Sequence, residues 1–226
     1  MHWLLLILFV LAAVFGPSLW AKAVLAHHAD DRPDYPGTGG ELARHLLDEA
    51  GLEEVAVERA DQGDHYDPAA KVVRLTVDNL NGRSLTAVAV AAHEVGHALQ
   101  DRDGYGPLKT RTRLVKSIGW LQRVGSTIIF ATFGLGAAAQ APGLAALGVG
   151  AGIATMASAV VIHLVTLPVE FDASFNRALP ILDRGGYLPR RDLPAARRIL
   201  KACALTYVAS SLASLLNLWR WIRFLR

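Results

Sequence analysis

Apolar residues are concentrated in four long stretches of the chain. They run from Trp3 to Ala26, Ile118 to Ala141, Leu144 to Val169 and Ala202 to Leu218. Since about 20 apolar residues form a helix that crosses a bilayer, the pattern predicts about four transmembrane helices. The second and third stretches are joined by a short Pro-Gly turn, so we expect them to form an antiparallel hairpin. The fourth is shorter and ends in Trp and Arg residues, so it either spans the membrane or lies along its surface, and spanning is favoured.

Two of these predictions have alternatives. The first stretch could be a cleaved signal peptide, but no Lys or Arg precedes its apolar core, as one normally does in such peptides. The hairpin could be buried inside a soluble protein, but the length and purity of both apolar runs favour the membrane.

A polar region separates the first and second apolar stretches. It opens with a linker at residues 30–37 that is rich in Asp, Pro and Gly and is expected to be irregular. Thr38 is placed to cap a helix from Glu41 to Ala50, which carries leucines on one face. Val55-Ala56-Val57 is expected to form a short strand.

Further along this region, apolar and polar residues alternate from Lys71 to Asp78, which predicts a half-buried strand. A turn is expected at residues 79–82. It is followed by a helix from about Leu85 to Gln100, for which Ser84 and Thr86 are possible N-caps.

This last helix carries the motif His93-Glu94-Val95-Gly96-His97. Residues four apart lie on one helix face, so both imidazoles can bind one metal ion at about 2.0–2.1 Å. Glu94 can then reach a zinc-bound water and take its proton, and the hydroxide attacks a carbonyl group. The motif therefore predicts one Zn²⁺ per chain and the hydrolysis of peptide bonds.

Five residues alone are a limited signal, since chance produces this motif about once in a hundred such chains. Its context is more specific, because the motif lies in a helix with packing residues on its other faces. A strand lies just upstream, and zinc peptidases commonly bind substrate along such a strand by β-augmentation.

Composition excludes several other classes of protein. With 52% hydrophobic and 19% charged residues, the chain is too apolar to be disordered. Its single cysteine, Cys203, excludes an intramolecular disulfide and has no evident His partner, so we expect a small buried residue there. A net charge of +3 gives no indication of nucleic-acid binding, and no nucleic-acid partner is expected.

A catalytic zinc usually takes a third protein ligand. His65, in the loop ahead of the strand, is either a turn residue or a substrate contact. Glu170 and Asp172 directly follow the third apolar stretch, where carboxylates are usually interfacial or functional. Two predicted crossings separate Glu170 from His93, so both would face the same side of the membrane.

The other histidines are weaker candidates. His27, His28 and His45 are expected to lie in the linker or on the surface. His163 precedes Glu170 by about two helical turns, or about 10 Å along one helix, so the two cannot bind the same ion. We expect a hydrogen bond within or between helices for His163.

Three segments together resemble the bacterial membrane-bound neutral zinc metallopeptidases of the YugP type. They are Leu85 to Gln100, Leu167-Pro168-Val169-Glu170-Phe171-Asp172-Ala173-Ser174 and Asp64-His65-Tyr66-Asp67-Pro68. The resemblance covers nearly the whole chain. It implies a gluzincin-like site in which His93, His97 and Glu170 bind the metal and Glu94 is the base.

Related heat-shock and prenyl-protein membrane peptidases carry an Asp four residues after the third ligand, where it orients a ligating histidine. Here Ser174 occupies that position, and Asp172, two residues after Glu170, leaves the face of an α-helix that carries Glu170. Asp172, Ser174 and His65 are therefore candidates for orienting a ligand or contacting substrate.

The predicted architecture is a mainly α, multi-pass membrane protein with a small strand element and a zincin-like catalytic helix. It divides into a transmembrane helix (1–26), an extramembrane peptidase region (27–117), a transmembrane hairpin (118–169), an extramembrane segment with the third ligand (170–201) and a final transmembrane or interfacial helix (202–226). Lys and Arg are more numerous before the second and fourth spans, so the positive-inside rule places the active site in the cytoplasm, at a bacterial inner membrane.

The sequence thus predicts a zinc-dependent endopeptidase that cuts protein or peptide substrates at or near the lipid bilayer. The alternative is a catalytically silent membrane scaffold or assembly factor that retains the zinc fold, and the intact Glu94 counts against it. A metal-handling protein is a third possibility, which would require weakly bound, exchangeable zinc.

Overall fold

The computed structural model describes residues 2–139 and 142–206, which form a mainly helical fold with a small sheet. The helices are α1 (His2–His27), α2 (Gly39–Glu49), α3 (Val77–Asn81), α4 (Leu85–Arg102), α5 (Gly106–Ala139), α6 (Pro142–Phe171), α7 (Leu179–Arg184) and α8 (193–206). A π-helix (Asp172–Ala178) connects α6 to α7, and a 3₁₀ turn (Arg190–Asp192) precedes α8. The strands are β1 (Ala56–Arg59), β2 (His65–Asp67) and β3 (Val72–Leu75).

Helix α4 is the centre of the core. Every residue from Leu85 to Gln100 is buried, because α4 is enclosed by α2, the sheet, the π-helix and α7. A helix that is surrounded on all sides needs apolar or small residues on all its faces, and α4 is rich in Ala and Val. Its polar residues are thereby held in the interior, where their positions are fixed by packing.

The beginning of α4 is fixed by two side chains. Ser84 is the N-cap and accepts a hydrogen bond from the backbone N–H of Ala87 at 3.0 Å, which confirms one of the two predicted caps. Thr86 has another role, since its hydroxyl donates to the carbonyl of Leu25 at 2.8 Å. This bond joins the end of α1 to the start of α4.

Helix α2 forms as predicted. Thr38 and Glu41 make a reciprocal capping box at its N-terminus. Its buried residues Ala43, Leu46 and Leu47 lie on one face and pack into the same core as α4. Gly51 follows the helix with a φ of +68°, a conformation that glycine adopts without strain.

The three strands form one sheet in the order β1-β3-β2, with β1 parallel and β2 antiparallel to β3. The predicted strand at 71–78 is shorter in the structure, since β3 ends at Leu75 and α3 replaces both its last residues and the predicted turn at 79–82. Because β3 is paired on both sides, it has no open edge for substrate. The open edge near α4 belongs to β2, which the sequence pattern did not indicate.

Within the described residues, no helix combines the length and the apolar character needed to cross a membrane. The prediction of a multi-pass membrane protein with about four transmembrane helices is therefore wrong. An apolar run indicates that a helix needs apolar contacts, which another helix can also supply. Here α5 and α6 pack side by side, so closely that a Cβ atom on Gly125 would lie 2.5 Å from the hydroxyl of Thr155.

The first three apolar stretches are nevertheless helical, as expected, in α1, α5 and α6. Helix α5 begins at Gly106, shortly after α4 ends at Arg102 and well before Ile118, where the second apolar stretch begins. Residues 140 and 141 of the predicted turn at 140–143 lie outside the described residues, and Pro142 and Gly143 are the first residues of α6. Most of the fourth apolar stretch, from residue 207 onward, also lies outside the described residues.

Candidate metal centre

Helix α4 presents two histidines one turn apart on the same face. The rings of His93 and His97 lie with their centroids 4.8 Å apart and are nearly perpendicular, with an interplanar angle of 75°. Both residues are buried, at 4% and 5% exposure. The i, i+4 spacing of the motif therefore produces the local geometry expected from the sequence.

A carboxylate from a distant part of the chain completes this cluster. Glu170, the penultimate residue of α6, places Oε2 3.1 Å from Nε2 of His93 and 3.3 Å from Nε2 of His97. One potential ligand atom of each of these three residues lies within 4.8 Å of the other two. The structure thus brings together the two motif histidines and the third ligand implied by the family resemblance.

The chemistry of this donor set suits zinc. Catalytic zinc sites use three protein ligands drawn from His, Glu, Asp and Cys and keep a fourth position for water or substrate. Here all three donors are buried, and they converge from two separate helices. The buried group of His93, His97 and Glu170 could therefore bind one metal ion.

Glu94 lies beside the cluster, in a cleft of about 280 Å³ between α4, β2, α5 and α8. Burial raises the pKa of the Glu94 carboxyl to about 7, with the negative charge of Glu170 adding to the effect and His93 opposing it. A carboxylate whose pKa lies near neutrality is well matched to accept and return a proton in this pH range. The cleft is lined by Leu25, Asp64, His65, Tyr66, Val90, His93, Glu94, His97, Arg111, Glu170, Cys203 and Thr206.

A cation from α5 contacts the same carboxylate as the histidines. Nη1 of Arg111 lies 3.1 Å from Oε1 of Glu170, while Oε2 of Glu170 faces the two imidazoles. Burial by itself would raise the pKa of Glu170, but His97 and His93 hold that pKa well below its usual range. Glu170 is therefore ionised, with one oxygen directed at the potential metal position and the other at Arg111.

Each histidine also has a partner on the opposite side of its ring. Nδ1 of His93 lies 3.0 Å from the hydroxyl of Ser174, which in turn lies 3.1 Å from the carbonyl oxygen of Leu200. Nδ1 of His97 lies 2.9 Å from Oε1 of Gln100. Both histidines are thus held through the ring nitrogen that faces away from Glu170.

The amide of Gln100 connects His97 to the π-helix. Its Nε2 donates to the carbonyl of Val169 and to Oδ2 of Asp172, both at 2.8 Å. Asp172 also accepts from Arg177 and Asn176, each at 2.9 Å. Burial opposes ionisation of Asp172, but these donors lower its pKa below the ordinary value, so it is a charged acceptor.

The prediction that Asp172 would leave the face of Glu170 assumed an α-helix. A π-helix, with hydrogen bonds from i to i+5, begins at Asp172 and changes the direction of the side chains that follow. Both side chains therefore reach α4, where Ser174 contacts His93 and Asp172 contacts Gln100, the partner of His97. Ser174, four residues after Glu170, thus lies where the related peptidases carry an Asp.

His65 and its loop form the outer wall of the cleft. His65 is the first residue of β2, is exposed, and has Nδ1 3.1 Å from the carbonyl of Gly63. The preceding Asp64 accepts hydrogen bonds from Thr76 and Asn79, which anchors the loop to α3. His65 is not part of the metal cluster, and it lies on the wall of the cleft.

The remaining candidates lie away from the cluster. His27 and His28 are at the end of α1, and His45 is exposed on α2 beside Tyr187. The side chain of His163 lies outside the described part of the chain. Cys203 lines the cleft, and burial raises the pKa of its thiol, so the thiol remains neutral.

Two residues of the site were missed by sequence reasoning. Gln100 could have been found, because it lies three residues after His97 and side chains at i and i+3 are neighbours on a helix. Arg111 gave no such signal, since it lies on another helix and contacts Glu170 only through the tertiary fold.

Two imidazoles from an H-E-x-x-H helix and a carboxylate from a second helix are the donor set of zinc peptidases. The chain belongs to the family described as "Putative neutral zinc metallopeptidase", whose sequence profile matches residues 3–226. A protein of Bacillus subtilis (strain 168) named "Putative membrane protease YugP" is 37% identical over 224 residues, covering 96% of this chain and 96% of that protein. No solved structure is significantly similar to the chain.

Proposed function

We propose that this protein is a zinc-dependent endopeptidase in which His93, His97 and Glu170 hold the metal and Glu94 is the general base. One observation carries the proposal: Glu170, 77 residues from His93 in sequence, lies within 3.3 Å of both histidines. Structural packing alone gives no reason to bury a charged carboxylate between two imidazoles, since burying charge is costly unless it is paired or coordinates a metal.

The catalytic step follows from the placement of Glu94. When bound, zinc supplies Lewis acidity that polarises a carbonyl group and lowers the pKa of water. Glu94 lines the same cleft and, with a pKa raised to about 7 by burial, accepts the proton of the attacking water. The protonated Glu94 then donates this proton to the amine that leaves.

The cleft also indicates how a substrate would bind. Strand β2 is an edge of the sheet, because β3 lies on its other side and no further described strand pairs with it. Tyr66 and His65 of β2 line the cleft together with Glu94. A peptide in extended form would pair with this edge through backbone hydrogen bonds, which gives affinity with little dependence on sequence.

Our proposal for where in the cell the protein acts rests on the Bacillus relative alone. That protein is named a membrane protease. We extend an association with the membrane to this chain on that name, without assigning a spanning helix to the described residues. The proposed substrates are therefore proteins or peptides at the membrane.

The test compares zinc content and peptide hydrolysis in the unmodified protein and in three glutamate variants. Glu94→Gln is expected to keep one zinc per chain and to lose at least 100-fold in kcat, since it keeps the ligands and removes the base. Glu170→Ala is expected to lose both zinc and activity. Glu53→Ala, at an exposed position, is the control and should change neither.

Each result separates the proposal from its alternatives. Equal hydrolysis by the unmodified protein and Glu94→Gln would contradict the peptidase. Zinc that remains tightly bound in Glu170→Ala would assign the third ligand to another group. A chain that takes up no zinc after reconstitution would favour the catalytically silent scaffold.

A further inference from the structure

Nδ1 of each histidine contacts a side chain that can only accept a hydrogen bond from it. We propose that Gln100 and Ser174 are positioning residues that fix a proton on Nδ1 of His97 and His93, so that Nε2 of each ring is directed at the metal, and that Asp172 acts on His97 through Gln100. The inference rests on the proposed ligand role of the histidines, which it deepens.

The orientation of the Gln100 amide is determined by its neighbours. Its Nε2 lies 2.8 Å from the carbonyl oxygen of Val169 and 2.8 Å from Oδ2 of Asp172. A backbone carbonyl can only accept hydrogen bonds, and Asp172 already accepts from Asn176 and Arg177. The NH₂ group must therefore face them, and Oε1 must face His97.

The protonation of His97 follows from that orientation. Oε1 of Gln100 has no hydrogen to give, and it lies 2.9 Å from Nδ1 of His97. The contact is a hydrogen bond only if Nδ1 carries the proton. Gln100 is fully buried, so no water competes for this oxygen. Nε2 is then the nitrogen that faces Glu170 and the position of the metal.

Ser174 makes the same assignment for His93. Its hydroxyl oxygen lies 3.1 Å from the carbonyl oxygen of Leu200, and two oxygens at that distance repel each other unless a hydrogen lies between them. The hydroxyl therefore donates to Leu200, and its oxygen accepts from Nδ1–H of His93 at 3.0 Å. Ser174 is also fully buried.

Asp172 accepts a hydrogen bond from Gln100 and is itself held in place by other donors. It accepts from Arg177, which also contacts Asp103 just after the end of α4. A continuous series of hydrogen bonds thus runs from Arg177 through Asp172 and Gln100 to the candidate ligand His97. A carboxylate that accepts a hydrogen bond from the amide N–H polarises the amide and strengthens its oxygen as an acceptor, which makes the imidazole a better electron-pair donor to a metal.

This arrangement prepares the site before any metal binds. A free neutral imidazole exchanges between two tautomers and rotates, and a metal must select the one that presents Nε2. Here Gln100 and Ser174 accept from Nδ1 of the two rings and direct both Nε2 atoms at Glu170 and the position of the metal, so no ring has to rotate when a metal binds. Hydrogen bonds of this kind typically change metal affinity 10- to 100-fold when they are removed.

The first experiment measures the ring nitrogens directly. In protein labelled with ¹⁵N-histidine, long-range ¹H–¹⁵N correlation spectra report which nitrogen carries hydrogen. We expect protonated Nδ1 atoms in His93 and His97, both in metal-free protein and after addition of Zn²⁺. A bare Nδ1 in either ring would overturn the proposal. Because the metal-free spectrum needs neither zinc nor activity, this result is independent of whether the protein is a peptidase.

The second experiment measures the Kd for Zn²⁺ by competition with a chelator. Gln100→Leu and Ser174→Ala are each expected to weaken zinc binding about 10- to 100-fold. In Gln100→Leu, only the His97 ring should lose its fixed Nδ1 proton. Gln62→Leu, at an exposed position, is the matched control and should leave the Kd unchanged. An unchanged Kd and spectrum in Gln100→Leu would overturn the proposal.

A reciprocal exchange distinguishes positioning from packing. Gln100→Glu keeps an acceptor for His97 but sets a carboxylate against Asp172, so zinc binding should weaken at least tenfold. Adding Asp172→Asn restores a donor between the two positions and should return the Kd to within about threefold of the unmodified protein. A double variant as weak as Gln100→Glu alone would contradict the role of Asp172. Failure of the unmodified chain to bind zinc would instead contradict the proposed function.

Discussion

Gly96 of α4 and Ala173 of the π-helix meet backbone to backbone. A Cβ atom added to Gly96 would lie 2.7 Å from the carbonyl oxygen of Ala173, closer than such atoms are found. Gly96 lies between Glu94 and His97 in the motif, and Ala173 lies three residues after Glu170. The absence of a side chain at Gly96 therefore sets how closely α4 approaches the π-helix that directly follows α6 and Glu170.

Gly96→Ala is expected to push these helices apart by a few tenths of an ångström. Because overpacking of a core typically costs 1–3 kcal/mol, we expect a loss of about 2 kcal/mol in the free energy of unfolding. Zinc binding should weaken as well, since Glu170 moves with the π-helix. Urea unfolding and chelator competition measure the two effects.

Gly119→Ala is the control for this variant. Gly119 lies inside α5 with no neighbouring atom within 4 Å of an added Cβ. Alanine is the better helix former, so this change should be neutral or add up to about 1 kcal/mol. Equal stability of Gly96→Ala and the unmodified protein would show that the helices are less closely packed than the structure indicates.

The ionisation of Glu94 should make the stability of the zinc-free protein depend on pH. Burial raises the pKa of Glu94 from 4.5 to about 7 in the folded chain. A raised pKa means that folding favours the protonated form, so this stabilisation is complete below about pH 4.5 and is lost as pH rises through 7. Glu94→Gln has no proton to lose and should gain about 3 kcal/mol relative to the unmodified protein between pH 4.5 and 8.

Urea unfolding at a series of pH values in the presence of a chelator measures this difference. The control is Glu53→Gln, whose side chain is exposed and should show a constant difference from the unmodified protein. A difference between Glu94→Gln and the unmodified protein that is the same at pH 4.5 and pH 8 would contradict the raised pKa.

Arg111 is expected to contribute more to the free energy of unfolding in the metal-free protein than in the metal-bound protein. In the zinc-free protein it contacts the buried carboxylate of Glu170, and Arg111→Gln leaves that charge with less compensation. Since the Arg111 side chain is 22% exposed, we expect a loss of about 1–3 kcal/mol, below the full cost of breaking a buried pair. Bound zinc pairs with Glu170 as well, so the loss should shrink in the loaded protein.

By linkage, Arg111→Gln should then bind zinc at least as tightly as the unmodified protein. Unfolding with and without zinc, compared with Arg113→Gln on the exposed side of the same helix, provides the measurement. Equal destabilisation in both states would show that Arg111 acts independently of the metal position.

His65 should affect substrate rather than metal. It lies on the cleft wall at the open edge of the sheet and outside the group of three donors. His65→Ala is therefore expected to leave the Kd for zinc unchanged and to lower kcat/KM about tenfold, the effect of one hydrogen bond to a bound peptide. His45→Ala, exposed on α2, is the matched control, and an equal effect of both variants would remove His65 from the substrate site.

Local signals in the sequence were sufficient to predict α2 and the histidine-bearing helix α4. The Thr38 cap, the Ser84 cap and the i, i+4 histidines are each determined by residues within one or two turns. Such features depend on hydrogen bonds and side-chain directions that neighbouring residues impose. They were predicted from the order of the residues alone.

Features that depend on distant contacts could not be predicted in this way. The alternation through Val77 indicated a longer strand, but β3 ends at Leu75 because Thr76 turns toward Asp64 and begins α3. The apolar runs of α5 and α6 correctly predicted helices, but they did not predict what those helices contact. The hydrogen bonds that connect Asp172 to His97 through Gln100 require the π-helix, which no local pattern in the sequence indicated.

The π-helix limits which changes in length the chain can accept. Its seven residues join α6, which carries Glu170, to α7, and the wide hydrogen-bond spacing accommodates a residue more than an α-helical turn would. Deleting one residue from 172–178 would favour ordinary α-helix, in which Asp172 and Ser174 would no longer both be directed at α4. A residue inserted in the exposed loop at Gly63 would merely lengthen that loop. Natural variation in chain length should therefore accumulate in the loop and be absent from the segment that follows Glu170.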